Sequence, residues 1–286
     1  MPVHDDLGCR MKDFYETIPK TKLMRRTPVA IRIDGKAFHT FTRGFQRPFD
    51  NVLIKSMQET MKYLCENIQG CVLGYTQSDE ITLILVDYKK LTSSAWFDYE
   101  VQKMCSIAAS MATMAFNRAF AKNVAEITDV NPKGFSYKAG GEFVQEVFDT
   151  TYLETLKSAV ERGAMFDARC FNVPREEVTN LIYWRQLDAS RNSIQMVGQA
   201  YFSHSELNNK TCSNIQDMLM EHKGINWNDF PVHKKRGSCC IKEGYKDEET
   251  KSLRTRWVVD NNIPIFRNED REARRLVEEL KRQREK

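Results

Sequence analysis

Val29-Ala30-Ile31-Arg32-Ile33-Asp34-Gly35-Lys36-Ala37-Phe38-His39 is the stretch on which the reading of this chain turns. Val29, Ile31 and Ile33 recur with the period of a strand, so they share one face, while Arg32 and Asp34 share the other. Pro28 opens the run, and Gly35 ends it and lets the backbone turn sharply. A second stretch, Gly74-Tyr75-Thr76-Gln77-Ser78-Asp79-Glu80-Ile81-Thr82-Leu83-Ile84-Leu85, also sets acid against an apolar run. A carboxylate at the end of a buried strand costs folding energy unless it is paired or holds a cation. Either motif alone reads more readily as a hairpin turn. Two such carboxylates on neighbouring strands, one followed by Gly, are what a Mg²⁺-dependent phosphate-transfer site requires.

The surrounding pattern gives these strands a topology. Asp50-Asn51 can cap a helix in which Met57, Met61, Leu64 and Ile68 recur at helical spacing up to Gly70. Cys71 to Thr76 and Ile81 to Tyr88 then read as a hairpin whose polar tip is Gln77-Ser78-Asp79-Glu80. Ser93-Ser94 is expected to cap a helix running to about Lys122. Its small residues (Ala108, Ala109, Ser110, Ala112, Ala115, Ala119) predict close packing on nearly every face. A polar loop follows, with Asn131-Pro132-Lys133-Gly134 and Gly140-Gly141, and Phe166 to Val173 reads as a further strand.

The order is β-α-β-β-α-β. This predicts an α+β, ferredoxin-like polymerase/cyclase palm: an antiparallel sheet with helices on one face. In that unit the first and third strands are central, which would bring Asp34 beside Asp79. Beyond it, helices are expected over Glu176 to Leu187, Asp188 to Tyr201 and Asn214 to His222. A basic loop, His233-Lys234-Lys235-Arg236-Gly237, is expected before a short strand, and Asn268 to Lys286 alternates charges as a solvated helix does. The chain is thus divided into a basic N-terminal segment (1–27), a palm-type catalytic domain with helical insertions (28–245) and a C-terminal extension (246–286).

Bulk properties narrow the function class. The chain has 286 residues, 41% of them hydrophobic and 29% charged, which suits a globular enzyme able to bury its own core. A net charge of +4 is compatible with local basic patches for nucleic acid. The 8 cysteines include no Cys-x-x-Cys pair, so reduced thiols in a cytoplasmic protein are expected. A zinc site from Cys212, Cys239, Cys240, His204 and His233 is conceivable but fits no standard spacing. No signal peptide and no apolar run of membrane-spanning length are read.

The candidate site follows from the two acidic motifs. Asp34 and Asp79 would bridge two Mg²⁺ ions, with the Gly35 carbonyl as an unobstructed ligand. The N–H groups of Lys36, Ala37, Phe38 and His39 would cradle a triphosphate. Glu80 should point to the opposite face from Asp79, as a supporting group or a third ligand. His39 and Arg47 are candidate phosphate contacts. Lys103, Lys234, Lys235, Arg236 and the Lys20–Arg26 cluster are candidate nucleic-acid contacts, and each reads equally as an ordinary solvated charge.

These blocks resemble one family. Arg32 to Phe41 (Arg-x-Asp-Gly-x-x-Phe-His-x-Phe) and Gln77 to Glu80 are similar to the signature blocks of tRNA-His guanylyltransferases. Phe166-Asp167-Ala168-Arg169, Trp184-Arg185-Gln186-x-Asp188, Pro231 and Lys235-Arg236-Gly237-Ser238 continue the resemblance over residues 28–245. It implies 3′→5′ addition of nucleotides to the 5′ end of tRNA, with ATP, GTP or other nucleoside triphosphates as substrates. It also implies Asp34, Asp79 and Gly35 as metal ligands, with Lys36 to His39 and Ser78 along the triphosphate. Glu80 matches an acid needed for activity and Asp50 a family Asp, while Arg47 stands where the family has Lys. A homotetramer is implied as well.

One segment departs. The guanylyltransferases proper carry His-Ile-Asn-Asn-Leu-Tyr-Asn where this chain has Ser190-Arg191-Asn192-Ser193-Ile194-Gln195-Met196, so only Asn192 is kept among the polar positions. That segment is linked to anticodon recognition, so the chain resembles the guanylyltransferase-like branch that repairs 5′-truncated tRNA. The other readings are a tRNA-His-specific enzyme adding a single G, a palm-type nucleotidyl cyclase and a non-catalytic tRNA-binding module.

Overall fold

A computed structural model describes residues 6–130, 135–139, 142–146, 149–247 and 252–267. In chain order these form α1 (Asp6–Met11), β1 (Val29–Gly35), α2 (Phe38–Phe41), α3 (Asn51–Asn67), β2 (Cys71–Gln77), β3 (Glu80–Leu85) and α4 (Val101–Val130). The hairpin β4 (Phe135–Ala139) and β5 (Glu142–Glu146) follows, then α5 (Thr150–Arg162), β6 (Phe166–Asn172) and α6 (Val178–Tyr201). Then come α7 (His204–Leu207), α8 (Cys212–Lys223), α9 (Val232–Arg236), β7 (Ser238–Lys246) and β8 (Leu253–Asp260).

The main sheet has six strands in the order β6-β1-β3-β2-β7-β8, and every neighbouring pair is antiparallel. Its first four strands are the expected palm, with β1 and β3 at the centre. Val29, Ile31 and Ile33 are buried on the face covered by α3 and α4. Ala30 and Ile84 face the other way, under the first half of α6. The palm helices therefore occupy one face, and an added helix closes the opposite one.

Local chemistry explains the elements that lie under the site. The Asp50 carboxylate caps α3 by accepting the Leu53 N–H (2.9 Å), accepts the Gln46 N–H as well, and receives the Tyr152 hydroxyl (2.8 Å). Met57, Met61 and Leu64 line the buried face of α3. β2 approaches that face so closely that a side chain on Gly74 would stand 2.9 Å from Met61 Cγ. Beneath the turn after β1, Phe38 packs against Phe116 and Phe166 at ring-centroid distances of 5.6 and 5.2 Å. Phe41, Phe45 and Phe120 extend that cluster. Burying each such ring contributes roughly 2–3 kcal/mol.

Several elements differ from expectation. α4 begins at Val101 rather than after Ser94, because Phe97, Asp98 and Tyr99 take positive φ (49°, 52°, 56°) and turn the chain first. It is also not close-packed all round: Ala108 and Ala112 are buried, whereas Ser106 and Ser110 face solvent. The stretch read as a polar loop contains the β4–β5 hairpin, and α5 follows it. α5 carried legible signals: Asp149 as its cap, Tyr152, Leu156 and Ala159 along its buried face, and Gly163 at its end. Residues 131–134, 140–141 and 268–286 of the expected loop and tail lie outside the described residues.

The two helices expected over Glu176 to Tyr201 are one helix, α6. Its second half packs Ile194 and Val197 with Ile215, Leu219 and Trp227 in a separate small core. The basic run after Pro231 is the short helix α9, not a loop. Among the described residues no helix is long and apolar enough to cross a membrane.

Asp50 should act here as a structural residue. Asp50→Ala removes a helix cap and leaves the buried Tyr152 hydroxyl without its acceptor, at a combined cost of about 2–3 kcal/mol. Urea unfolding checks this, and Tyr152→Phe in the same background should add little further loss.

Candidate active site

The register of β1 on β3 places Asp34 directly opposite Glu80. Residues so paired share a face of the sheet, so these two carboxylates lie side by side. Ser78 and Asp79 form the turn between β2 and β3, with Ser78 at φ 50°. The Gly35 N–H donates to the Asp79 carbonyl (3.1 Å), which stitches the end of β1 to that turn. Gly35 also has to lack a side chain, because a Cβ there would collide with the Phe38 ring. The sequence expectation that Asp34 and Asp79 meet is thus met by backbone pairing.

Their electrostatics are unresolved by the protein itself. Burial, then the charges of Glu80 and Asp167, push the Asp34 carboxyl above its ordinary value, against the opposing pull of Arg169 and Arg32. Burial also raises Asp79; its own N–H and the Ser78 hydroxyl oppose the rise, and Asp34 and Glu80 add to it. Among the described residues neither carboxylate has a salt bridge, and Asp79 receives the Ser78 hydroxyl (3.0 Å) beside its own N–H. Two converging, oxygen-only, unneutralised carboxylates fit a hard divalent cation such as Mg²⁺. The Gly35 carbonyl is the third oxygen at the same strand end.

Glu80 is used differently. Arg32 binds it through two nitrogens (3.2 and 2.9 Å), and Arg185 Nη1 adds a third bond (2.8 Å). Arg185 in turn meets Asp188, which also holds Arg191. The Trp184 ring lies under both guanidiniums, 3.7 Å from Arg185 and 5.2 Å from Arg32. With its charge answered on both sides, Glu80 ties α6 to the sheet rather than facing a cation. Gln186 performs a neighbouring task, accepting from the Phe266 N–H (2.9 Å) and donating to the Pro264 carbonyl (2.8 Å). The block Trp184 to Asp188 was legible as a motif, but these partners were not, because they come from β1, β3 and residues 264–266.

Both acidic motifs open onto a cavity of about 610 Å³. Asp34, Gly35, Ala37, Phe38, His39, Arg47, Ser78 and Asp79 all line it, so most of the expected nucleotide-contacting residues are gathered there. Thr42, Arg43, Gln46, Met196 and Gln199 also line it and were not anticipated. Met196 and Gln199 come from α6, whose placement above the site depends on tertiary packing.

Lys36 does not join them: it is exposed, and its N–H is taken by the Met165 carbonyl (2.8 Å). The Lys36 N–H is therefore already spent, and Ala37, in a left-handed conformation (φ 54°), starts the turn of α2. A smaller cleft adjoins the cavity through Asp50, Leu53, Ser78 and Met196, and it collects Asn192, His233 and Lys234.

Other basic candidates are placed elsewhere. Lys103 is exposed on α4 and lies 5.0 Å from the Phe97 ring centroid. Lys235 is buried, donates to the Asn228 carbonyl and sits against Trp227, so it serves packing rather than a nucleic-acid surface. The Arg236 carbonyl accepts the Tyr75 hydroxyl (2.7 Å). Lys22 and Arg25 pair with Asp98, and Arg25 also binds Asp87. The cysteines and histidines conceivable as zinc ligands do not gather. Cys239 and Cys240 alternate to opposite cores, and among the described residues no three His, Cys, Asp or Glu side chains are grouped to hold a metal.

A palm sheet with two free carboxylates over a nucleotide-sized cavity places the chain among nucleotidyltransferases. The comparisons give the family. A model of the tRNA-His guanylyltransferase family matches residues 9–174, more than half of the chain, and the chain belongs to that family. A bacterial tRNA(His) guanylyltransferase-like protein solved in complex with ATP is 39% identical, covering 95% of this chain and 98% of that one, with a TM-score of 0.74. A bacterial tRNA(His) guanylyltransferase-like protein in complex with GTP gives 38%, 96%, 99% and 0.72. The tRNA(His) guanylyltransferase of Saccharomyces cerevisiae is 24% identical over 76% of this chain and 83% of its own length. The family's enzymes are transferases that act in tRNA processing.

The raised carboxyls make a pH prediction. In chelated protein, native Asp34 and Asp79 keep protons that the unfolded chain has already released. Their contribution is therefore full below the ordinary carboxylate range and is lost as pH rises through the raised folded values. Asp79→Asn should then be more stable than the parent in metal-free urea melts at pH 7, with the gap closing in acid. A variant no more stable than the parent at pH 7 would contradict the account.

Proposed function

We propose that this chain is a Mg²⁺-dependent 3′→5′ nucleotidyltransferase that adds nucleotides to the 5′ end of tRNA. The observation that carries this reading is the convergence of Asp34 and Asp79, unneutralised, at the wall of the 610 Å³ cavity. The two bacterial relatives bound to ATP and GTP support it. In this reading the Asp34 and Asp79 carboxylates and the Gly35 carbonyl hold Mg²⁺. When bound, the metal would supply activation of an attacking hydroxyl and stabilisation of the leaving group.

The chain's own residues do the rest. Ala37, Phe38, His39, Ser78 and Arg47 orient the triphosphate of ATP in the activation step and of GTP or another nucleotide in the addition step. The Phe38 ring cluster fixes that turn, so the first N–H groups of α2, which have no intrahelical partner, are held for phosphate. Glu80 is a positioning residue: its three bonds to Arg32 and Arg185 hold α6, and with it Met196 and Gln199, over the reacting groups. Asn192 and Lys234 in the adjoining cleft, and Lys103 exposed on α4, are the proposed tRNA contacts.

In this reading residues 28–245 are the catalytic domain, 1–27 a basic N-terminal segment and 246–286 an extension, and the enzyme is a cytoplasmic homotetramer. The altered segment Ser190 to Met196 favours template-directed repair of 5′-truncated tRNA over strict tRNA-His specificity. In this chain Ser193 is bonded to Trp227 and Ile194 is buried, so those positions serve packing.

Asp79→Ala should abolish both ATP-dependent activation of a 5′-monophosphorylated tRNA and the following addition, measured separately with labelled ATP and labelled GTP. Retention of either step would break the single-centre account. The parent, offered tRNA-His and another tRNA, each full-length and 5′-truncated, should extend the truncated forms of both. Addition confined to one G on full-length tRNA-His would replace repair with the His-specific reading. Cyclic product from GTP without RNA would replace both.

A further inference from the structure

At the far end of β1 from the carboxylates the sheet gathers a second concave site. Val29 pairs with Leu85 of β3 on one side and with Asn172 of β6 on the other. The residues just beyond those three strand ends, Arg26, Pro28, Tyr88 and Arg175, therefore meet, and they line a cavity of about 350 Å³. None of them lines the cavity that holds Asp34 and Asp79. The two arginines come from chain segments that are locked together, because the Val173 N–H donates to the Pro28 carbonyl (3.0 Å).

The charge on this site is unanswered. Asp87 is the buried acid nearest in sequence, but both of its oxygens are taken: Oδ2 by Arg25 Nε (2.6 Å) and Oδ1 by the Arg26 backbone N–H (2.8 Å). Arg25 spends its other bonds on Asp98 and the Ser93 carbonyl. Arg26 is held in a left-handed conformation (φ 61°) by that bond from its N–H, a conformation costly for a side chain other than Gly. Among the described residues neither the Arg26 nor the Arg175 guanidinium has a salt-bridge partner, and both are exposed. Two unpaired guanidiniums flanking a concave surface with a phenol match a phosphate group.

We propose that Arg26 and Arg175, with Tyr88, bind backbone phosphate of the tRNA substrate, at a site separate from the reaction centre. The inference rests on the proposed tRNA substrate and deepens it. Asp34 lies six residue steps along the chain from Pro28, a distance of about 20 Å along the strand. A nucleoside triphosphate at the carboxylates does not reach that far, whereas a tRNA whose 5′ end is held there does. The lining supplies charge rather than the enclosing apolar wall that a nucleotide base takes. Such a contact positions RNA without reading its sequence.

The test compares the full-length parent with R26Q/R175Q and with R26K/R175K. Equilibrium tRNA binding is followed across a salt series, and initial rates are measured with ATP and with tRNA varied. R26Q/R175Q is expected to weaken tRNA binding at least tenfold at low salt. It should lower the slope of log affinity against log salt by about 1, equally for tRNAs of different anticodon, because about one unit is lost per phosphate contact. Turnover at saturating tRNA and the KM for ATP should stay unchanged, and R26K/R175K should regain most of the slope because its charges remain.

Unchanged affinity and slope in R26Q/R175Q, with a parent that binds tRNA, would overturn this site and leave the proposed function standing. A raised KM for ATP with intact tRNA affinity would make it a nucleotide site instead and overturn the proposal. A parent that binds no tRNA would overturn both readings together.

Discussion

β1 and β3 pair antiparallel with Asp34 opposite Glu80, and the rest of the molecule is arranged around the electrostatic cost of that register. It sets three acidic groups within a few residues of one another at one end of a sheet. Carboxylates so placed repel and resist burial unless each is answered. The protein answers one of them itself, giving Glu80 to Arg32 and Arg185. It leaves the other two, Asp34 and Asp79, without an ion pair among the described residues, and burial raises both, with the Glu80 charge adding to each.

The answer given to Glu80 has structural reach. Arg185 is buried on α6, so neutralising Glu80 also docks that helix on the face of the sheet opposite α3 and α4. Trp184 stacks under the two guanidiniums, and Gln186 pins residues 264–266 across the same face. Once docked, α6 carries Met196 and Gln199 to the cavity wall. A charge pair whose own net stabilisation is small can matter chiefly by fixing one arrangement, and here that arrangement is the depth and roof of the site.

The opposite face contributes rigidity. Phe38, the residue that follows the turn after Asp34-Gly35, is driven into the ring cluster of Phe41, Phe116 and Phe166. The turn next to the carboxylates is therefore held by apolar burial on one side and by the Gly35 to Asp79 backbone bond on the other. The chemistry sits on strand ends and a packed turn, while the segment from Ser190 to Met196 sits on a helix half that belongs to a separate small core.

The sequence by itself determined the palm strands, the helix from Asn51 and the meeting of Asp34 with Asp79, because strand period, a cap and chain order are local signals. It also marked Trp184 to Asp188 as a block, but not what that block touches. Tertiary structure decided the rest. Glu80 turned out to answer two arginines, one of them 105 residues away in sequence. Lys235 turned inward against Trp227, and Lys36 lost its N–H to Met165. α4 began late because positive φ at Phe97 to Tyr99 overrode a plausible serine cap. Whether a charged side chain is spent on packing or left for a ligand depends on which distant groups reach it first, and no local pattern encodes that.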